Sequence, residues 1–226
     1  MKLSVIIPTY NEAKTLAQLI KKTLAVPINK EIIVVDDGST DDTQSVLKEF
    51  ENMDDVILLS HGYNRGKGRA IRTGREKTSG DITIIQDADL ETNPNDYLHL
   101  VEPIIQKSTK VVYGSRLLNQ SADHNWKYYY GGRFITFIAN LLYRQNITDE
   151  PTCYKVFDTA FFKSIPLECE RFEFCPEITA KVSKRGIKIV ELPMEYFPRK
   201  ASEGKKLKMK DGFKALWVLL KYRFKN

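Results

Sequence analysis

The chain has 226 residues, 42% hydrophobic and 28% charged, which suits a soluble globular protein with one full core or two small ones. Net charge is +6, yet the ten Lys/Arg and two Asp/Glu from Arg199 to Asn226 give that end +8 and the rest −2, so one end faces something anionic. Three cysteines, Cys153, Cys169 and Cys175, have no metal-finger spacing and argue against a disulfide framework, and no apolar stretch reaches the ~20 residues that span a bilayer.

The opening residues are too short for a signal peptide. They predict a chain that begins at residue 1 and stays in a reducing cytoplasm. Leu3 to Ile7 reads as a buried strand ending at Pro8, which lacks an N–H. Leu16, Leu19, Ile20 and Leu24 follow at helical spacing, with Asn11 as the expected cap. Glu31 to Val35 is a second strand that runs into Asp36-Asp37-Gly38-Ser39, and a helix is expected from about Thr43 to Phe50. Asp41 and Asp42 suit the start of that helix. Val56 to Ser60 is a third strand. Asn64-Arg65-Gly66-Lys67-Gly68 then sets a glycine-flanked Lys at a helix start, where it can approach phosphates.

Asp81 to Gln86 is the fourth strand, and it delivers Asp87-Ala88-Asp89. Alternate strand side chains share a face, so Asp87 and Asp89 converge and Ala88 turns away. Two such carboxylates repel unless a cation lies between them. A hard divalent ion, Mg2+ or Mn2+, takes oxygen ligands of this kind. Three clusters, Tyr10-Glu12, Asp36-Asp37 and Asp87-Asp89, thus fall at strand carboxyl ends, on one edge of a parallel sheet. The alternation predicts an α/β fold with a Rossmann-like, mostly parallel (mixed) sheet sandwiched by helices. Asp36-Asp37 also suits a response-regulator receiver, but the expected acceptor Asp and later Lys do not follow. His61, His99 and His124 read as structural or surface residues.

In the second half, Val111 to Arg116 predicts a strand followed by a basic residue. Trp126, Tyr128, Tyr129 and Tyr130 precede Gly131-Gly132-Arg133. Phe134, Phe137, Ile138, Leu141 and Leu142 then mark a helix that either lies in a membrane interface or packs on the sheet. Asp149 is the natural candidate for any general base. Pro176 opens a helix in which Glu177 either contacts substrate or answers the helix dipole. Ile187 to Leu192 is a strand, and a charged loop runs from Arg199 to Lys206. The last helix sets Phe213, Leu216, Trp217, Leu220 and Phe224 on one side, among Lys210, Lys214, Lys221, Arg223 and Lys225. A basic amphipathic helix suits an anionic lipid surface.

Four stretches together, Ser4 to Glu12, Ile33 to Ser39, Asn64 to Gly68 and Asp87 to Leu90, resemble family 2 glycosyltransferases of the GT-A fold. Within that family the resemblance is strongest to dolichol-phosphate mannose and glucose synthases and their bacterial polyprenyl-phosphate relatives. It continues through Gly114-Ser115-Arg116 and returns in Tyr196-Phe197-Pro198-Arg199. It implies an inverting transfer of a hexose from a nucleoside diphosphate, UDP-glucose or GDP-mannose before UDP-N-acetylglucosamine, to a polyprenyl or dolichyl phosphate. Pro8, Thr9, Tyr10, Glu12, Asp36, Asp37, Lys67, Asp87 and Ala88 would then bind the donor. Asp87, Asp89 and Glu91 would hold Mg2+ or Mn2+. Arg116, Arg133, Arg199 and Ser202 would hold the acceptor phosphate, and Asp149 would be a base only for a hydroxyl acceptor in glycan synthesis. Thr152-Cys153-Tyr154 departs from the family's usual Ser-Gly-Phe.

The chain reads as one GT-A domain, 1–226. Its donor half is 1–115, its acceptor half 116–198, and 199–226 is a basic loop and helix. The expected partners are a nucleotide sugar, a lipid phosphate, an anionic membrane surface at the inner face of the membrane and, where needed, a membrane protein. Two other readings are a sugar-phosphate nucleotidyltransferase and a basic nucleic-acid binder. The first lacks a Gly-rich basic loop after the first strand, and the second leaves the acidic strand ends unexplained.

Overall fold

A computed structural model describes residues 1–118, 126–199 and 209–225, with the side chains of 126–128 and 209 set aside. Alternating runs build the first half: β1 (Leu3–Thr9), α1 (Leu16–Ala25), β2 (Lys30–Asp36), α2 (Thr43–Lys48), β3 (Val56–Ser60), α3 (Lys67–Lys77) and β4 (Ile82–Ile85). Two one-turn helices follow, α4 (Tyr97–Leu100) and α5 (Glu102–Ile105), before β5 (Val111–Ser115) and α6 (Trp126–Tyr143). The rest comprises β6 (Lys155–Asp158), α7 (Thr159–Ser164), α8 (Phe174–Lys184), β7 (Val190–Pro193) and α9 (Met209–Phe224).

The seven strands form one sheet in the order β3-β2-β1-β4-β6-β5-β7. β1 to β4 pair in parallel, as does β5 with β7, while β6 runs antiparallel between β4 and β5. The sheet is therefore mixed, as the alternation predicts. β1 shows how it is buried. Leu3, Val5 and Ile7 join the core beneath α1, whereas Ile6 points to the opposite core with Ile71, Phe157, Phe162 and Phe174. Such alternation is the mark of a strand covered on both faces. A third cluster binds α6, α8 and α9 through Ala139, Tyr143, Ala180, Val218, Leu219 and Tyr222.

Pro8 lies inside β1 rather than ending it, opposite Val35. Ile6 faces β4, accepting from Gln86 N, and Thr9 faces β2, accepting from Asp37 N. Alternation turns Pro8 toward β4, which has already ended opposite Ile6 at Ile85, so the missing N–H loses no partner. Asn11 does not cap α1; Thr15 stands at that position. Asn11 instead adopts a left-handed φ of 52° and ties its loop to the next one, its Oδ1 accepting from Thr40 N at 2.8 Å. β4 stops short of the predicted Gln86, so Asp87 to Asp89 lie in a turn rather than on an extended strand.

Candidate active site

The carboxyl ends of β1, β2 and β3 border a cleft of about 600 Å3. Its walls include Tyr10, Ser39, Gln44, His61, Tyr63 and Asn64. That volume lies in the range of small-molecule sites, roughly 300–1,000 Å3.

Asp36 and Asp37 build this cleft from behind. Asp36 is fully buried; its Oδ1 accepts from Ser39 N at 3.1 Å and its Oδ2 from Gln44 Nε2 at 3.3 Å. Asp37 Oδ1 lies 2.7 Å from His61 Nδ1 and accepts from Arg65 N, while Oδ2 accepts from Gly66 N at 2.6 Å. Gly66 needs φ of 107° to make that contact, and a Cβ there would collide with Glu170 O. Both are expected from the sequence to contact base or ribose. They face backbone and neighbouring side chains and hold the loop that walls the cleft.

That loop delivers Lys67 as the first residue of α3, and its Nζ stands 2.5 Å from Asp87 Oδ1. Burial alone would push Lys67 down, but Asp87 outweighs it and raises the ammonium. Burial likewise opposes the Asp87 charge, and Lys67 holds the carboxyl below its usual range. Ala88 turns into the core as expected, and its carbonyl accepts from Thr15 Oγ1 at 2.7 Å.

Asp89 lies on the other side of the turn. Arg199 Nη2 is 3.2 Å from Asp89 Oδ2, Nη1 is 3.3 Å from Glu12 Oε2, and Nε is 3.7 Å from Glu91 Oε1. Glu91 is further bound by Tyr196 OH at 3.0 Å and Arg199 N at 2.9 Å. Three carboxylates therefore surround one guanidinium. Burial first, then repulsion from Asp87 and Glu91, pushes the Asp89 carboxyl up to about 7 despite Arg199. Glu12, predicted in the nucleoside pocket, belongs to this cluster and not to the cleft wall.

The donor set here is all carboxylate oxygen and carries excess negative charge, which fits a hard divalent cation. Among the described residues, however, no group of three or more His, Cys, Asp or Glu stands ready to hold a metal ion. Of the three expected ligands, Asp87 is paired with Lys67, and Glu91 accepts from Tyr196 OH and the Arg199 backbone.

In the acceptor half, Arg116 grips Asp149 with two parallel bonds, Nε to Oδ2 and Nη2 to Oδ1, each 2.7 Å. Its guanidinium lies 5.3 Å from the Tyr196 ring centre. Burial disfavours the Asp149 charge, but Arg116 outweighs it and keeps the carboxyl below its usual range. A general base needs a pKa near the working pH and a free lone pair toward substrate. Held below that range, Asp149 serves here as the anchor for Arg116. Glu177 is also structural: buried, it accepts from Glu168 N, Cys169 N, Lys181 Nζ and Tyr222 OH. Arg133 is exposed on α6. Ser202 and His124 lie outside the described residues. Tyr196 and Thr15 join the site without a prior assignment; Tyr196 was visible only as part of the Tyr196-Phe197-Pro198-Arg199 stretch.

Residues 4–165 match the model of the family described as Glycosyl transferase family 2. The chain belongs to glycosyl transferase family 2. This family 2 glycosyltransferase is 31% identical to a UDP-N-acetylglucosamine–dolichyl-phosphate N-acetylglucosaminyltransferase of Methanococcus voltae, over 95% of the chain and 93% of that protein. It is 30% identical to the dolichol-phosphate mannosyltransferase of Pyrococcus furiosus, over 91% of the chain and 59% of that protein. The fold is GT-A. Glucosyl-3-phosphoglycerate synthase of Mycobacterium tuberculosis, crystallised with Mn2+ and UDP, superposes with a TM-score of 0.74. The match is at 20% identity and covers 98% of the chain and 79% of that structure. Membership in this family sets aside the receiver, nucleotidyltransferase and nucleic-acid readings. No helix among the described residues is long and apolar enough to cross a membrane.

Proposed function

We propose that this glycosyltransferase moves a hexose from a nucleoside diphosphate to a polyprenyl phosphate, with inversion at the anomeric carbon. The observation that carries the reading is the charge arrangement at the sheet's carboxyl edge. Asp87 and Asp89 stand between Lys67 and Arg199, beside an open cleft large enough for a nucleoside. Asp89, with Asp87, would hold a divalent ion there, and donor oxygens would complete its shell. Bound in that place, the ion supplies Lewis-acid stabilisation of the departing diphosphate. Lys67 stabilises charge on the same group.

A phosphate acceptor needs no base. Its second pKa is about 6, so it is ionised at neutral pH. It needs cations to position it. Arg116 is held rigid by Asp149 for that purpose, and Arg133 and Arg199 supply further charge. A hydroxyl acceptor would need a base, and Asp149 is already occupied. The names of the dolichyl-phosphate relatives support the same acceptor. The name of the M. voltae relative supports raising UDP-N-acetylglucosamine, kept third in the sequence reading, to a candidate equal to UDP-glucose and GDP-mannose. An acceptor chain of this type stays in a bilayer, so the enzyme works as a peripheral protein at the membrane surface.

The test is a thermal-shift screen of the three nucleotide sugars with and without Mn2+, followed by transfer of labelled sugar to undecaprenyl phosphate. Metal-dependent stabilisation by one donor and chloroform-soluble label are expected. Label that appears only on a sugar hydroxyl would overturn the acceptor.

A further inference from the structure

Tyr196 touches both halves of the site. Its OH donates to Glu91 Oε2 at 3.0 Å, within the carboxylate cluster around Arg199, and its ring centre lies 5.3 Å from the Arg116 guanidinium. The first contact belongs to the donor side of the proposed transfer and the second to the acceptor side.

The backbone that carries Tyr196 is stitched to both. Met194 N donates to Ser115 O at 3.1 Å, at the end of β5 and one residue before Arg116. Tyr196 bridges Thr92 in antiparallel fashion, and Phe197 N donates to Glu91 O at 2.8 Å. Main-chain bonds therefore fix where the Tyr196 Cα stands. The ring could still turn about χ1, and the bond from its hydroxyl to Glu91 holds it in one rotamer.

Arg116 needs a support of this kind. Its two parallel bonds to Asp149 occupy the Nε and Nη2 edge and hold the guanidinium in one plane. They leave a tilt about the line through the two carboxylate oxygens. An aromatic ring within about 6 Å of the cation attracts it and limits that tilt from one side. Glu91, in turn, lies two residues from Asp89 and accepts from Arg199 N as well as from Tyr196 OH. Whatever orders this carboxylate cluster orders the Tyr196 hydroxyl with it.

We propose that Tyr196 is a positioning residue that couples donor and acceptor binding, through Glu91 on one side and Arg116 on the other. The proposal rests on the reading of Arg116 as a ligand of the acceptor phosphate. A nucleotide seated at the Asp87–Asp89 turn fixes Glu91, Glu91 fixes the ring, and the ring presents Arg116 already oriented. The acceptor then binds without the entropy loss of ordering that side chain. Coupling of this kind is reciprocal, so the acceptor tightens the nucleotide by the same factor.

The experiment measures binding without turnover, by calorimetry, with farnesyl phosphate as the acceptor probe and UDP or GDP with Mn2+ as the nucleotide. Wild type, Tyr196→Phe and Tyr196→Leu are compared as full chains. In wild type the nucleotide is expected to tighten farnesyl phosphate about tenfold, and the reverse titration to give the same factor. Tyr196→Phe keeps the ring and loses the hydroxyl. Its coupling factor should fall below about twofold, while farnesyl phosphate alone binds within about threefold of wild type. Tyr196→Leu should weaken farnesyl phosphate alone about tenfold, because the guanidinium has lost its ring. A merely structural role would lower Tm and weaken both ligands together, with the coupling factor intact. Wild-type coupling in Tyr196→Phe would overturn the proposal, as would farnesyl phosphate binding without coupling in wild type. If Tyr196→Leu does not fold, the near-isosteric Phe variant still decides. Failure of farnesyl phosphate to bind wild type at all would remove the acceptor reading, and the proposal with it. Transfer to polyprenyl phosphate without coupling would remove the proposal alone.

Discussion

Arg199 Nη2 lies 3.2 Å from Oδ2 of Asp89, the residue best placed to hold a divalent ion. The same guanidinium meets Glu12 and Glu91, and its Nε is buried without a hydrogen-bond partner. A guanidinium with an unsatisfied N–H among three carboxylates is a poorer match than a metal ion that accepts lone pairs from all sides. If Asp89 holds a divalent ion as proposed, Arg199 and that ion would compete for one position, and Arg199 would then be released toward the acceptor side.

Arg199→Gln is the first prediction. With no nucleotide present, its affinity for Mn2+, read by electron paramagnetic resonance, should rise about tenfold over wild type, since a fixed positive charge has left the cluster. Transfer should fall about 100-fold, the scale seen when one stabilising donor is lost. Unchanged Mn2+ binding would show that the two cations use different places.

Asp149→Asn separates an anchor from a base. Loss of the charge leaves Arg116 with one weakened partner, and the acceptor KM should rise about tenfold with a smaller change in kcat. The pH–rate profile should keep its shape, because Asp149 is ionised throughout the working range and titrates in none of it. A fall in kcat of about 1,000-fold, with loss of the acidic limb, would restore Asp149 as the base. Stability should drop by roughly 2–4 kcal/mol, because a half-buried Arg loses its counter-charge.

Asp37→Asn tests the wall of the cleft. Asp37 Oδ2 accepts from Gly66 N, and an amide oriented to serve that N–H turns its NH2 toward Arg65 N, where it cannot accept. The loop from His61 to Gly66 should loosen. We expect the donor KM to rise about tenfold while kcat on saturating donor stays within about twofold. Gly66→Ala, which forces a Cβ toward Glu170 O, should act in the same direction and cost stability as well.

The first hundred residues were legible because parallel strands announce themselves as β-branched runs, and their carboxyl ends collect the polar residues. β3 was predicted to the residue. β6 escaped notice. It has four residues, begins with Lys155 and ends with Asp158, and takes its place only by pairing with β4 and β5. Lys155 is buried, its Nζ donating to Glu150 O and lying 3.8 Å from the Tyr113 ring centre. Composition gives no hint of such burial. The same limit applies inside the site. A carboxylate at a strand end can face a ligand or a backbone amide, and Asp36 and Asp37 chose amides. The meeting of Arg199 with Glu12 spans 187 positions, and no local pattern encodes it.

Glu31 gives the pH prediction. It is buried at the amino-terminal end of the sheet, away from the chemistry, with Lys2 Nζ at 2.7 Å. Ser4 Oγ, Ser79 N and Ser79 Oγ each donate to it at 2.6 Å. Burial opposes its charge, but Lys2, Ser4 and Ser79 outweigh that and bring the carboxyl down to about 2. A folded pKa below the unfolded value means that the folded state binds the proton more weakly. The stabilisation is therefore complete above the unfolded pKa of about 4.5 and disappears as pH falls toward about 2. Lys2 is half-exposed and solvent screens the pair, so the contribution at pH 7 is about 1–2 kcal/mol. Glu31→Gln should lower Tm by about 2–6 °C at pH 7. The gap between variant and wild type should close as the pH is taken from 4.5 toward 2, as far as both remain folded. A gap that stays constant over that range would mean that the lost stability comes from packing and hydrogen bonds rather than from the ionised carboxylate.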